Sequence, residues 1–539
     1  ASCPFPNSFI IQNNRDSGPL RRGQITIAIA ADQELSEQSV REALVSLARK
    51  SLLHPSRQSG ALEYRLLETT RAYALLAPGL PDEREQTRDR HARYFATLLE
   101  GSDLEIYDPI AGRRTALGWQ DELHVALDWA FAADATLAIR LTLAAERLWI
   151  ELAGFAHATH YLGLALKQIG AASAVDPHLY ARLLVAYATA HSAFLTRETD
   201  DPALYEEAWH AAEKTEDELL QVRALYALIP ILSRKRLPTD RLLNEFFLKA
   251  ANSDDCFIQQ LPLIIAAYGD VEGSDMASAL QKFEKAISNC PEASRRHSLY
   301  FGHDMIVGSE VTAALIRYWM GSFAQAREQL ALLVERAEAS ANSLTLWFVL
   351  VHGAIWCELR SGDADCAVRY LEKLDVVSRQ YKPWRSMVIA YSAILTSVKY
   401  KIGDASEEEL RGAERRFSDT MAHDDYMKSQ AGLFHVLMFE LAAIRITLSE
   451  FEAAEQILEE ALGFSQNDED VRVIGVHHRL SAELLIARNR PGDIEKARPL
   501  LQRAIDLAKL RGAYLYEMES KVSLAKLEVA SGRPDKPKG

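Results

Sequence analysis

The sequence predicts a mainly all-α protein in which a long helical solenoid follows a small α+β domain. Three observations carry that expectation. Glycine and proline are sparse, 26 and 18 of 539 residues, whereas Ala, Leu, Glu and Arg abound, and these lose little on entering a helix. A motif built on a small residue recurs through the second half of the chain at a near-constant interval. Within the first eighty residues alone, the stretch YRLLETTRAYAL (Tyr64 to Leu75) changes from an alternating to a helical apolar pattern.

The elements follow in chain order. Residues 1–25 hold no periodic pattern and are expected to be irregular, or an artefact of the gene model; the chain is expected to begin inside a longer protein. In SEQSVREALVSLARKSLL, Ser39 and Glu42 have the spacing of a capping box, and Val40, Ala43, Leu44, Leu47 and Ala48 share one helical face. Pro55 and Gly60 then break regular structure. Leu62, Tyr64 and Leu66 alternate with Glu63 and Arg65 as a half-buried strand, and a helix is expected from Glu68 to the Pro78-Gly79 break. Helix, strand, loop, strand, helix is the order of a winged helix, assigned to 26–80. Residues 81–170 read as a helical connector and 171–539 as the repeat superhelix.

In the superhelix, YWMGSFAQAREQLALLVERA, LRSGDADCAVRYLEKL, TLSEFEAAEQILEEAL and GDIEKARPLLQRAI align on Ala326, Ala367, Ala454 and Ala497. MASALQKFEKAI adds Ala279, a weaker copy centres on Ala413, and a degenerate one on Ala208. The intervals 279→326→367→413→454→497 are 47, 41, 46, 41 and 43 residues, those of a tetratricopeptide-like solenoid with long helices. The small anchor belongs where the second helix of a hairpin crosses the first closely.

The segment LVSLARKSLLHPSRQSGALEYRLLETTRAYAL, with RDRHARYFATLLE and DELHVALDWAF, resembles the middle of bacterial STAND-class, ATPase-type transcriptional regulators. The matching residues are Lys50-Ser51-Leu52, Tyr64 to Ala74, His91 to Phe95 and Ala126 to Ala130. The resemblance implies a non-DNA-binding winged helix followed by a tetratricopeptide-like sensor arm in the cytoplasm. No G-x-x-x-x-G-K-[ST] is present, so ATP and Mg are expected in an NTPase domain outside this chain, as is the family's DNA-binding domain. The partners it implies are that NTPase domain, or a partner protein, with a small-molecule or peptide inducer.

Charge and motif content narrow the function further. A formal charge of −14 repels phosphate backbones. Arg41, Arg49, Lys50 and Arg57 are the basic residues nearest a winged-helix surface, but Glu42 and Glu68 interrupt them, so no direct DNA contact is expected. The longest apolar runs fall short of a bilayer span. Five scattered cysteines lack zinc-ligand or redox spacing. His157 and His160 stand at i and i+3 near Glu151 without a convincing further ligand, and His477-His478 would point apart on a helix. The carboxylate runs at Glu407 and Asp468 are solvated in character. No catalytic residue, cofactor site or metal site is expected, and the protein reads as no enzyme.

One binding surface is expected. Trp347, Trp356, Tyr370, Tyr381 and Trp384 are close in sequence and would line a groove on the concave face, where aromatics among polar groups anchor a ligand. The functional expectation is the sensor arm of a STAND-type regulator acting by protein–protein or ligand binding. The alternative is a free-standing repeat scaffold that binds a partner protein or peptide.

Overall fold

The computed structural model describes residues 9–10, 27, 29–32, 35–58, 61–66, 81–101, 111–151, 154–170, 176–192, 201–235, 237–291, 296–301, 304–340, 342–379, 384–424, 431–463 and 470–530. They fall into two compact units, 1–190 and 191–539. Among the described residues no helix is long and apolar enough to cross a membrane.

The first unit opens with a three-stranded antiparallel sheet of order β1-β3-β2, where β1 is Phe9–Ile10, β2 is Leu53–Gln58 and β3 is Ala61–Leu66. Two expectations change here. Phe9–Ile10, in the segment read as irregular, pairs with Tyr64 and Glu63 of β3. Pro55 does not end regular structure but lies within β2, opposite Tyr64. A proline is tolerated there because β2 is the edge of the sheet among the described residues. The helix expected from Glu68 lies outside the described residues.

The cap of helix α1, Glu37–Arg49, lies three residues before the expected Ser39. Ser36 is the N-cap, its Oγ accepting from the Ser39 amide, while Glu42 accepts from the Gln38 side chain. Val40 and Leu44 bury against Ile27 and Leu53, as the helical face predicted. The connector is a bundle of α2 (Pro81–Gly101), α3 (Ala111–Ala133), α4 (Ala135–Glu151) and α5 (Phe155–Gly170), with α6 (Pro177–Ser192) after it. Helix α2 packs on both α3 and α4. Polar ties run across these faces: Trp129 Nε1 donates to Glu85 Oε2 at 2.7 Å, and Arg140 meets Glu100 at 2.7 Å.

The second unit is a run of helical hairpins. Helices α7 (Pro202–Glu213), α8 (Glu218–Arg234) and α9 (Asp240–Asn252) precede it. The hairpins are α10/α11 (Leu261–Glu272, Met276–Asn289) and α12/α13 (Met305–Trp319, Phe323–Ser340). Next, α14 runs from Ser343–Val349 through a π turn, Leu350–Ala354, into Ile355–Ser361, and pairs with α15 (Ala364–Ser378). Then come α16/α17 (Arg385–Lys401, Glu407–His423) and α18/α19 (Ala431–Thr447, Phe451–Leu462). A π turn, Val471–Gly475, leads into α20 (Val476–Arg488), followed by α21 (Asp493–Leu510) and α22 (Tyr514–Ala530).

Every anchor alanine of the repeat, Ala279, Ala326, Ala367, Ala413, Ala454 and Ala497, is buried, as close crossing requires. Five residues before five of them the backbone turns left-handed, at Ser274, Gly321, Gly362, Ser449 and Gly492. At the first four that residue follows the first helix and reverses the chain, whereas Gly492 is the N-cap of α21 and left-handed Asn489 ends α20. Asp275 and Asp363 then cap the second helix by accepting from the amides of Ser278 and Cys366. The turn before α17 is longer and uses a full capping box at Ser406 and Glu409.

The first helices of the hairpins meet one another in series: α12 with α14, α14 with α16, α16 with α18, α18 with α20, and α20 with α22. Helix α22 then returns to α12, so the series closes into a ring. The seam is specific. The Val471 amide donates to Ser274 Oγ at 3.1 Å across 197 residues of chain. The Tyr514 ring lies beside Gly321, where a Cβ would stand 2.8 Å from Tyr514 Cδ1. Gly321 is therefore doubly required, by its φ of 98° and by this contact.

Candidate functional site

The ring brings one set of charged side chains to its axis. Arg360 leaves the end of α14, Lys401 the end of α16, Glu440 the middle of α18, Arg479 and Glu483 the face of α20, and Glu519 and Ser523 that of α22. Glu519 bridges two guanidiniums: Arg360 Nη2 lies 2.8 Å from its Oε1 and Arg479 Nη2 3.5 Å from its Oε2. Arg360 Nη1 also reaches Glu440 Oε1 at 3.4 Å. Arg479 Nη1 donates to Glu483 Oε1 at 2.8 Å, and Ser523 Oγ donates to the same oxygen.

Aromatic rings back this cluster. The Arg360 guanidinium carbon stands 5.5 Å from the centre of the Trp356 ring. Trp356 meets Tyr318 and Trp319 edge-on at 5.8 and 6.5 Å. Arg472 lies over Trp319 at 5.9 Å and holds Asp470 Oδ2 at 2.8 Å. Cation–π contact of this kind favours a guanidinium that has lost part of its water.

The electrostatics follow from these contacts. Burial opposes the charge on Arg360, but Glu519 and then Glu440 hold it protonated above the ordinary range. Burial likewise disfavours the Glu483 carboxylate, yet Arg479 and Ser523 outweigh it and keep its pKa low. Lys401 moves the other way. Burial pulls its pKa below the usual value; attraction to Glu440 and Glu483 exceeds the repulsion from Arg360 and Arg479 but does not offset that burial. Its side chain is still exposed to water, and Arg360, Glu440, Glu483 and Glu519 each keep partial exposure. Solvent thus reaches a site walled by protein.

The aromatic residues expected to share one groove are divided. Trp347 and Trp384 are buried and stacked on each other, centroids 5.3 Å apart, in the core between α14 and the start of α16. Tyr370 is buried on the outer helix α15. Trp356 alone of the described four faces the axial cluster, and Tyr381 lies outside the described residues. Trp356 stands nine positions after Trp347 with the π turn between them, so their side chains leave α14 on different faces.

The charged residues at the axis were not singled out from the sequence, although a signal exists. Arg360, Lys401, Glu440, Arg479 and Glu519 follow one another at 41, 39, 39 and 40 residues. In the first unit, His157 packs its ring on His124 at 4.2 Å, and burial lowers both pKa values. His477 and His478 lie with centroids 5.8 Å apart, and burial, with His478 beside it, takes His477 down to about 4.

No protein-family model matches this sequence, and no curated protein is significantly similar to it. Among solved structures, one similar chain is a Rap protein complexed with competence and sporulation factor. It is 12% identical over 73% of this chain and 97% of its own, with a TM-score of 0.39. A second is a STAND protein with a tetratricopeptide repeat sensor from Pyrococcus horikoshii, 12% identical with a TM-score of 0.36. That alignment covers 74% of this chain and 59% of the STAND protein. A third, a circular tandem repeat protein of novel repeat topology, is 14% identical over 83% of this chain and 95% of its own, with a TM-score of 0.13. The repeat architecture described above rests on this chain's own helices, turns and anchors.

Proposed function

We propose that the second unit is a non-catalytic binding module that takes a peptide or an extended protein segment at the axis of its ring. One observation carries this: five helices send charged side chains, with Trp356 beside them, into one water-accessible interior. Stability alone does not call for such a cluster, because packed hydrocarbon at the same place is often as stable or more so. A peptide supplies hydrogen-bonding groups and an apolar side chain to an interior of this kind.

The resemblance carried by YRLLETTRAYA and HARYF supports a wider reading, in which the chain is the sensor arm of a STAND-type transcriptional regulator in the cytoplasm. The hairpin β2-β3 after α1 agrees with a winged-helix unit at the head of that arm. On this reading, occupancy of the axis shifts how the arm packs on an NTPase core supplied by residues outside this chain.

Equilibrium dialysis of the full chain against short synthetic peptides of random sequence tests the binding reading. A retained subset is expected, and its loss in Trp356→Ala places it at the axis; failure to retain any peptide ends the reading. For the regulator reading, saturable micromolar ATP binding by this chain would contradict the assignment of the NTPase elsewhere. Tight sequence-selective DNA binding at about 150 mM salt, abolished in Arg49→Ala/Lys50→Ala, would contradict a purely coupling winged helix.

A further inference from the structure

We propose that α22 is the seat for a helix supplied by a partner protein. The occupant is an amphipathic helix with a small residue at its crossing and a carboxylate toward Lys521, lying along Tyr514, Met518, Val522, Ala525 and Val529. The proposal is independent of the axial site.

The hairpins give the register. Four first helices carry a charged residue four positions before the left-handed residue of their turn, and it pairs with the second helix of the preceding hairpin. The pairs are Arg317–Glu284, Glu358–Arg327, Arg445–Glu414 and Arg488–Glu455. Glu528 of α22 makes the same kind of pair with Arg498 of α21. Ten, six and three positions before this residue, and one after it, lies the face that a first helix turns to its own second helix. In α12 these are Val307, Val311, Ala314 and Tyr318, all buried. At the same places Ile355 and Leu359 of α14, Phe439 and Ala442 of α18 and Ala482 of α20 are buried. Second helices cover this face: Tyr318 meets Phe323 of α13 edge-on at 4.9 Å, and Ala482 packs with Ala497 and Leu501 of α21.

In α22 the corresponding residues are Met518, Val522, Ala525 and Val529, and they are bare. Val522 is 50% and Val529 78% exposed, against 0% for Val311 of α12. Exposed Tyr514 extends the stripe to about 22 Å of helix. Among the described residues no second helix follows α22, and a repeat buries its apolar face only against a neighbour.

The covered seats define the occupant. Ala525 stands where α12 has Ala314, and the helix that covers α12 brings its anchor Ala326 with Leu330 four positions on. Lys521 stands where Glu310 of α12 reaches Arg336 of α13 at 3.2 Å, so the charge there is reversed and an incoming helix needs a carboxylate. Among the described residues Lys521 pairs within its own helix, with Glu517 at 2.6 Å, and its side chain is 55% exposed. The second helices of another copy are engaged in their own hairpins, their anchor alanines buried, so the occupant comes from a different protein.

The test is fluorescence anisotropy of a labelled synthetic peptide titrated with the full chain. The peptide copies residues 322–340 with Arg336→Glu, because α13 covers the seat most like this one. Saturable binding is expected. Val522→Glu should weaken it about tenfold, the scale of one buried valine. Trp356→Ala, at the axis, should leave it unchanged. Lys521→Glu should turn the preference to the unaltered peptide, which keeps Arg336. Val522 and Lys521 are exposed, and both variants are checked for unchanged circular dichroism and melting. No saturation, or binding undiminished in Val522→Glu, overturns the seat. Equal binding of the two peptides by wild type overturns the carboxylate. A wild-type dimer made monomeric by Val522→Glu, seen by sedimentation equilibrium, would give the face to a second copy. Tighter peptide binding after removal of residues 531–539 would give it to this chain's own end. Either result overturns the partner assignment.

Discussion

The second unit contains two kinds of helix contact, and they are built on opposite chemistry. At the hairpin crossings the contact is Ala454 and its equivalents, small, apolar and fully buried. At the axis it is Arg360, Glu519 and Arg479, long, charged and partly wet. The crossings hold the fold by excluding volume, since a methyl is what fits between two backbones at close range. The axis holds position by matching charges, a tie whose desolvation cost offsets most of its Coulomb gain. The same helices therefore carry a rigid face and an adaptable one.

Overfilling a crossing should give the largest effect. Ala454→Leu is expected to destabilise by about 1–3 kcal/mol through overpacking. Urea denaturation measures it, and an unshifted midpoint would mean that the crossing is not tight. The corresponding insult at the axis is Glu519→Gln, which leaves Arg360 and Arg479 facing each other. A loss of about 1–2 kcal/mol is expected, moderated by the water that reaches the site. Replacing Arg360, Arg479, Glu519, Glu440 and Glu483 together by Met, Met, Leu, Leu and Leu, so that no carboxylate loses its arginine, should recover most of that loss. If this combined variant is as unstable as the sum of its parts, the axis is a structural core and the two kinds of contact do not differ.

Titration gives a third probe, two residues from Arg479. His477 has a pKa of about 4 in the fold, against an ordinary value near 6.5. The folded state thus binds fewer protons than the unfolded one between those values. Stability should be unaffected above pH 6.5 and fall by about 1–2 kcal/mol as pH drops from there toward 4. Guanidinium melts at two pH values, compared with His477→Gln, isolate this share; an equal loss in the variant assigns it elsewhere. At the ring seam, Gly321→Ala should cost about 1–2 kcal/mol from left-handed strain, with the contact to the Tyr514 ring added to it. A change in hydrogen exchange at α22 would show that the new methyl has displaced Tyr514.

The two kinds of contact differ in how they show in the sequence. The crossing repeats one local requirement, so Ala326, Ala367, Ala454 and Ala497 stand at a fixed distance from each turn and can be read by alignment. The axial residues do not keep register with the anchors. They recur at 39 to 41 residues, while the anchors recur at 41 to 47, so each lies at a different height on its helix. Aligning the repeats on their alanines scatters them. The aromatic group failed for the complementary reason. Trp347 and Trp384, on consecutive first helices, meet in space because those helices stack, and stacking is what buries them. In the first unit, Ser39 has cap spacing, yet Ser36 takes the role and adds a turn's worth of helix. The pairing of Phe9–Ile10 with β3 is set by distant chain, which local pattern does not contain.

The seam at Ser274, Val471 and Tyr514 changes the thermodynamic class of the molecule. An open solenoid behaves as a linear chain of units, each stabilised by its neighbours, and it can fray from either end. Joining residues 197 positions apart removes one of those ends from the partition function. A perturbation in α22 is then felt directly at α12, and one at Val471 directly at the turn between α10 and α11, without passing through the repeats between. Such contacts also raise the mean sequence separation and slow folding. Unfolding of the second unit should accordingly approach a single cooperative transition, and the seam residues should share their exchange protection with helices on the far side of the sequence.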